Sequence, residues 1–372
     1  MPITLPHDET TAWLALLRAP GLGAVGVREL VAKHGGAASA IAAADARIPD
    51  AARTWLAAPD GAAIERDLAW LEAPDHHLVT ALSEDFPLLL RGIPAAPAAL
   101  FVVGDPTLLW TSQIAVVGAR NASAAGRAEA ARFARAFAET GTTVTSGLAE
   151  GIDGAAHAAA LDSGGTTIAV LGTGPDVVYP RGHAELARRI AARGALVTEF
   201  PPGTPARPEH FPRRNRIISG VSLGTLVVEA GLNSGSLITA RLAAEQGREV
   251  FAIPGSIHHA LARGCHRLIR DGARLVEAPE DVLAELGSLG ASLADGLRER
   301  LHAERSTPPM AASAHAADPD YQRLLGVLGA TPSTLDELAE RSGLVAAALS
   351  SMLLVLELEG RVIAEAGRYA RR

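Results

Sequence analysis

The sequence predicts an α/β fold: a doubly wound parallel sheet, flanked by a helical N-terminal domain and a small C-terminal winged helix. Three observations carry this. Short apolar runs alternate with Ala-rich helical segments between residues 114 and 270, and repeated βα units of that length build a parallel sheet with helices on both faces. Residues 9–75 are helical in pattern and rich in Ala and Leu. Residues 321–370 read as three helices and a hairpin, set off by a stretch of Ala, Ser, Gly and Pro.

Near the N-terminus, Pro20-Gly-Leu-Gly-Ala-Val-Gly26 joins two apolar-periodic stretches. It reads as a helix–hairpin–helix whose glycine amides approach a DNA phosphate, or as a plain turn between packed helices. The charge balance favours the turn, because residues 1–75 hold ten acids and six Arg or Lys, a balance that repels a polyanion. Pro74 to Pro106 reads as irregular, with Phe86-Pro-Leu-Leu-Leu90 as a short docking segment. Strands are expected at 114–117, 142–145, 166–171, 195–198, 224–228 and 250–253. Helices are expected at 127–139, where Phe133 and Phe137 stand at i, i+4, and at 153–162, 184–192, 237–246 and 263–270. The loops 118–123, 146–154, 172–181 and 231–236 all follow strands, so they fall on the carboxyl edge where ligands of such sheets bind. A linker is expected over 287–320. Beyond it come helices at 321–328, 334–341 and 344–358, then a hairpin turning at Ala366-Gly367. The domains are thus 1–75, 76–286 and 321–372.

Bulk composition narrows the function. The chain has 372 residues, 48% hydrophobic and 20% charged, with one cysteine, Cys265. A lone cysteine excludes an intrachain disulfide framework and fits a reducing cytoplasm. No apolar run approaches ~20 residues, so no membrane span is expected, and the first residues lack a signal-peptide pattern. The histidines show no metal-ligand spacing, so no metal or other cofactor is expected. Net charge is −7, but residues 110–285 hold 18 Arg against 17 Asp and Glu, a net of +1. Any basic face therefore belongs to the centre.

That face has a clear focus. Arg207, Arg213, Arg214 and Arg216 stand within ten residues against one acid, Glu209, with Phe211 and Asn215 among them. Guanidinium forks bind phosphate bidentately, and a ring beside them can stack on any base. Such a basic loop suggests a phosphate-bearing ligand such as single-stranded nucleic acid; a surface loop whose arginines pair with local acids explains the composition equally well. Gly118-Ala-Arg-Asn-Ala-Ser123 follows a strand and precedes a helix, where backbone amides, Arg120 and Ser123 suit a phosphate. It is not Gly-x-Gly-x-x-Gly and lacks an acid in the ribose-binding position, which argues against a dinucleotide. Asp153 and His157 stand one helical turn apart, as an acid–base pair or as a cap and a satisfied histidine; with no nucleophile in evidence the second is favoured. Glu199 and Glu229 follow strands, and fixing loop geometry is favoured over catalysis. The expected third helix of the winged domain, 344–358, has no Lys or Arg. That argues against major-groove reading and for protein contact or regulation.

Taken together, these motifs resemble one family. Ile114 to Arg120, Ser146 to His157, Ile168 to Gly174 with Tyr179-Pro180, Glu199-Phe-Pro-Pro-Gly203, Phe211 to Ser219, Val227 to Ala230, Ser234 to Ala240, Gly247 to Val250, Pro254-Gly255 and Leu268 to Ala273 resemble the DNA-processing protein A family, DprA/Smf. The likeness is dense over about 75–285 and extends to both flanks. It implies an extended Rossmann domain, a sterile-alpha-motif-like N-terminus, and binding of single-stranded DNA without sequence preference. It also implies protection of incoming strands in natural transformation, loading of the RecA recombinase, no enzymatic activity, and a homodimer through the late Rossmann domain. Carried over, the DNA site falls on Gly118, Arg120, Ser123, Ser146, Gly147, Phe211, Arg213, Arg214, Asn215 and Arg216. Arg207 stands in for a lysine common in the family, and neighbouring Glu209 should weaken binding there. Ala119 and Asn121 also depart from the pattern. The dimer face falls on Leu268, Ile269 and Leu275 with His266 on its rim; from the residues alone, packing of these side chains on the domain's own core is an equal reading. Two competitors remain. One is a nucleoside-monophosphate phosphoribohydrolase, echoed distantly in Ser219 to Glu229; the other is a winged-helix transcription regulator.

Overall fold

The computed structural model describes residues 7–286 and, further on, 319–329, 333–344, 349, 352–353, 356, 362–365 and 368–371. The chain divides into two compact units, 1–294 and 295–372. No described helix is long and apolar enough to cross a membrane.

Unit one opens with five helices, α1 (His7–Arg18), α2 (Gly23–His34), α3 (Ala37–Ala42), α4 (Asp50–Ala57) and α5 (Gly61–Leu71). They close around Trp13, Leu16, Leu30 and Val31, all fully buried. Gly21 and Gly23 adopt left-handed backbone in the α1–α2 turn, the conformation glycine reaches at no steric cost. A bidentate pair between Arg18 and the buried Asp67, both contacts 2.6 Å, ties α1 to α5. Arg18 Nη2 also donates to Pro202 O at 3.0 Å, fastening this layer to the rest of the unit.

Next come β1 (His76–Thr80), α6 (Leu88–Arg91), β2 (Ala99–Gly104), β3 (Gln113–Val117), α7 (Ala124–Glu139), β4 (Thr143–Ser146), α8 (Ile152–Asp162) and β5 (Thr167–Val170). They are followed by α9 (Ala184–Arg193), β6 (Ala195–Thr198), α10 (His210–Val221), β7 (Gly224–Val227), α11 (Ser236–Glu245), β8 (Glu249–Ala252), α12 (Arg263–Arg270) and β9 (Arg274–Leu275). The strands form a nine-stranded sheet in the order β1-β2-β6-β5-β4-β3-β7-β8-β9. From β6 to β9 all pairs are parallel. β1 and β2 add an antiparallel flank. The central strands are near-continuous apolar runs because both faces are covered: Ile114, Ala115, Val116 and Val117 are all buried, alternately in two clusters on opposite faces. Chain order reverses between β3 and β7, and the loops that follow them diverge there. Such a switch point opens a crevice.

Two elements depart from the sequence expectation. The segment 74–106 holds β1 and β2, which its prolines and histidines disguise. The basic loop expected over 207–216 is, from His210 onward, the first two turns of α10. Pro212 sits in that first turn, where a missing N–H costs nothing. Ile217, Ile218 and Val221 then bury the helix in the core.

Unit two is a winged helix. It comprises α13 (Pro319–Val327), β10 (Ser333–Thr334), α14 (Leu335–Ser342), β11 (Val362–Glu365) and β12 (Arg368–Arg371), with sheet order β10-β12-β11. Thr334 and Glu337 close a reciprocal capping box at the start of α14. Leu324, Leu338, Leu349, Leu353 and Leu356 fill its core. Most of the expected third helix, the turn at 366–367 and the linker over 287–318 lie outside the described residues.

Candidate nucleic-acid interface

The switch-point crevice is a cavity of about 840 Å³. Its walls are the loop after β3 (Val117 to Arg120), the start of α10 (Phe211, Arg214, Asn215, Ile218) and the loop into α11 (Gly231 to Thr239). Tyr179 and Arg263 stand at its rim. A side pocket of about 70 Å³ shares Arg120, Ala149, Tyr179, Phe211 and Arg214 with it and adds Gly147, Glu150 and Pro180.

The four clustered arginines play three different parts. Arg214 is buried at 4% exposure. Its Nη1 donates to Gly147 O at 2.6 Å and to Val170 O, and its Nε donates to Asn215 Oδ1 at 3.2 Å. A Cβ on Gly147 would collide with this guanidinium, so the glycine is required by close approach. Burial pulls the guanidinium down to about 10, the nearby Asp153 opposes that, and Arg120 adds to it. Arg214 thus stays charged at neutral pH in the cavity floor. Asp153 answers from the N-terminal turn of α8. Burial raises its carboxyl above the ordinary range, and the charge of Arg214 with the amides of Ala149 and Gly147 partly offsets this.

Arg216 takes both oxygens of the buried Glu199, at 2.5 and 2.7 Å, and Ala95 O at 2.8 Å. Arg213 takes the same carboxylate at 3.2 and 3.0 Å from a half-exposed position and stacks over Phe200 at 5.3 Å. For these two, the pairing with local acids holds. Arg207 is exposed on the preceding loop, with no acid partner among the described residues. Glu209 beside it is exposed as well.

Arg120 projects from the opposite wall, exposed, with its guanidinium carbon 5.4 Å from the centre of the Phe211 ring. Gly118 lies below it, packed on Ile152. Ser123 is spent differently. Its Oγ caps α7 through Gly126 N at 2.9 Å and donates to Glu229 Oε1 at 2.6 Å, while its N–H donates to Glu229 Oε2 at 2.9 Å. The anion cradle at the N-terminus of α7 is therefore filled by the protein's own carboxylate. Ser146 is fully buried and donates to Val116 O at 2.6 Å, bracing β4 against β3. Asn215 is 9% exposed, holds Arg214, and reaches Gly235 O at 3.5 Å.

The cavity also gathers groups that the sequence reading did not assign. Arg263 is exposed at the rim, without an acid partner among the described residues. Thr239 is 2% exposed, and its hydroxyl has no protein partner among the described residues. Ser234 and Ser236 share a hydroxyl contact of 2.7 Å at the start of α11. The motif Ser234 to Ala240 was the signal for the second wall; nothing local marked Arg263, which follows the β8 loop. On the candidate dimer face, Leu268 and Ile269 are half-buried against the core, Leu275 is 48% exposed on the edge strand β9, and His266 bonds Gly255 O at 3.0 Å.

This rim geometry meets three matches along the chain. Residues 77–287 match the family described as DNA recombination-mediator protein A. Residues 308–368 match the DprA winged helix domain and 7–69 the DprA-like N-terminal HHH domain. The chain belongs to the DprA/Smf family. Protein Smf of Escherichia coli is 44% identical over 316 residues, 83% of this chain and 80% of that one. DNA processing protein DprA of Streptococcus pneumoniae is 47% identical over 204 residues, 55% of this chain and 72% of that one. The crystal structure of the pneumococcal DprA superposes with a TM-score of 0.67 at 36% identity, covering 77% of this chain and 99% of that one. DNA processing protein A of Helicobacter pylori, described for its single-stranded DNA binding mode, gives 0.51 at 25% identity, covering 59% and 96%.

Proposed function

We propose that this DprA/Smf protein binds single-stranded DNA without sequence preference in the switch-point cavity, shields it, and delivers it to the RecA recombinase. The observation that carries this is the cavity rim, where Arg120 and Arg263 are exposed without an acid partner among the described residues and the exposed ring of Tyr179 lines the same cavity. Neither contact reads a base edge, so affinity comes from phosphate charge and stacking. The single-stranded DNA binding described for the H. pylori relative supports the same reading. The working form we propose is a homodimer through α12 and β9, in the cytoplasm. We infer binding rather than catalysis: both oxygens of Glu229, the carboxylate a phosphoribohydrolase would use, are held by Ser123.

The test compares single- and double-stranded oligonucleotides of several sequences across a salt series. The expected result is tight, sequence-tolerant, salt-sensitive binding of single strands only. Preference for a duplex would overturn it in favour of a regulator, and release of free base from nucleoside monophosphates would favour an enzyme. Delivery is tested by RecA-dependent ATP hydrolysis on DNA precoated with single-strand-binding protein, which this protein should accelerate.

A further inference from the structure

We infer that the platform on which a DNA base stacks is Tyr179, and that Phe211 is its pedestal. This rests on the single-strand reading above and deepens it.

Phe211 has little face left to offer. Its ring lies against Gly172, where a Cβ would stand 2.8 Å from Cδ1 and 3.1 Å from Cε1. Above it sits the Arg120 guanidinium, 5.4 Å from the ring centre. Tyr179 flanks it, with ring centres 5.3 Å apart and a 42° tilt. Tyr179 itself is 44% exposed and lines both the main cavity and its side pocket. An exposed ring beside a guanidinium that has no acid partner among the described residues is the arrangement that holds a base and its phosphate together.

The loop that carries the ring is held firmly. Thr173 Oγ1 donates to Val177 O at 2.5 Å, and Val177 N donates to Gly174 O at 3.1 Å. Asp176 accepts from Gly203 N at 2.8 Å, and on the far side His183 bonds Leu148 O at 3.0 Å. A ring fixed in this way loses little freedom on binding, which preserves the stacking gain.

The experiment uses the full chain and oligothymidylate carrying one 2-aminopurine. Stacking on a ring quenches this base. Wild type and Tyr179→Phe should bind with strong quenching; Tyr179→Leu should lose most of the quench and bind about ten-fold more weakly, within the range for one stacked base. Unchanged quenching and affinity in Tyr179→Leu would overturn the inference. So would loss of the quench in a folded Phe211→Leu variant while Tyr179→Leu keeps it. A measurement free of variants covers the case of misfolding: photo-crosslinking to 5-bromodeoxyuridine should label Tyr179, and labelling confined to other residues would overturn the inference. If wild type binds no single strand, the functional reading fails instead, and the two failures are thereby separated.

Discussion

Arg120 and Arg214 look alike in the sequence and differ in kind in the structure. Arg120 is an exposed cation at the mouth of the cavity; Arg214 is a buried one in its floor. Breaking a buried charge arrangement costs about 3–5 kcal/mol, so Arg214→Met should lower the melting temperature sharply, and binding lost in that variant reports on folding. Arg120→Ala should melt as wild type yet bind DNA several-fold more weakly, with a salt dependence reduced by about 0.7 in log–log slope. An unchanged slope in Arg120→Ala would remove it from the phosphate contacts. Glu150 offers the converse. It is exposed, lines the side pocket beside Arg120 and Tyr179, and repels an incoming phosphate. Glu150→Gln should therefore tighten binding, most visibly at low salt where charges are least screened, in a competition assay against wild type.

At the scale of elements, α8 carries a pH sensitivity. His157 is fully buried there. Its Nδ1 meets Thr167 Oγ1 at 2.7 Å, and that hydroxyl already donates to Val144 O, so Nδ1 holds the proton and Nε2 is left without a partner. Burial pulls the imidazole down to about 3, with the charges of His183 and Arg214 adding to it. The unfolded chain takes up a proton near 6.5 and the folded chain only near 3. Stability from this group is thus present above pH 6.5 and is lost as pH falls from 6.5 toward 3, at up to ~1.4 kcal/mol per pH unit. Asp153, raised by burial, has the opposite sign, since its protonation favours the folded form. Melting temperatures from pH 7 to 4 should fall, and His157→Gln should flatten that fall whatever its effect at pH 7.

The same scale shows what the sequence can reveal. The βα repeat was legible because a doubly covered sheet needs apolar runs between helices, and six such runs are strands of the observed sheet. β1 and β2 were not legible, because β2 joins the sheet by pairing with β6, a long-range event with no local signature, and β1 joins only through β2. α10 was hidden by its own arginines: three of them mimic a solvated loop, although two are consumed by Glu199 and one by the backbone carbonyls of Gly147 and Val170. Charge composition cannot tell a paired guanidinium from a free one. For the same reason Ser123 read as a phosphate ligand, when a carboxylate 106 residues away accepts from it.

Seen whole, the protein is acidic with a cationic mouth. Net charge is −7, yet Arg120 and Arg263 line the cavity and Arg181 and Arg207 stand next in the chain to the lining residues Pro180 and Pro208, all four exposed without an acid partner among the described residues. If four phosphates are neutralised there, the log–log salt slope for a short single strand should be about −3. A longer strand adds the question of assembly. β9 is the edge of the sheet and only two residues long, and Leu275 on it is 48% exposed beside the half-buried Leu268 and Ile269. An uncovered edge with an apolar side chain needs a partner or a charge. A second copy of the chain would cover it and bring two cavities onto one strand, which raises apparent affinity without any new contact. Leu275→Glu places a charge where the side chain is already exposed, so the fold should survive. The variant should run as a monomer in light scattering, bind short oligonucleotides as wild type does, and bind long ones at least ten-fold more weakly. A wild-type chain that is monomeric at micromolar concentration would remove the dimer, and with it the expected gain for long strands.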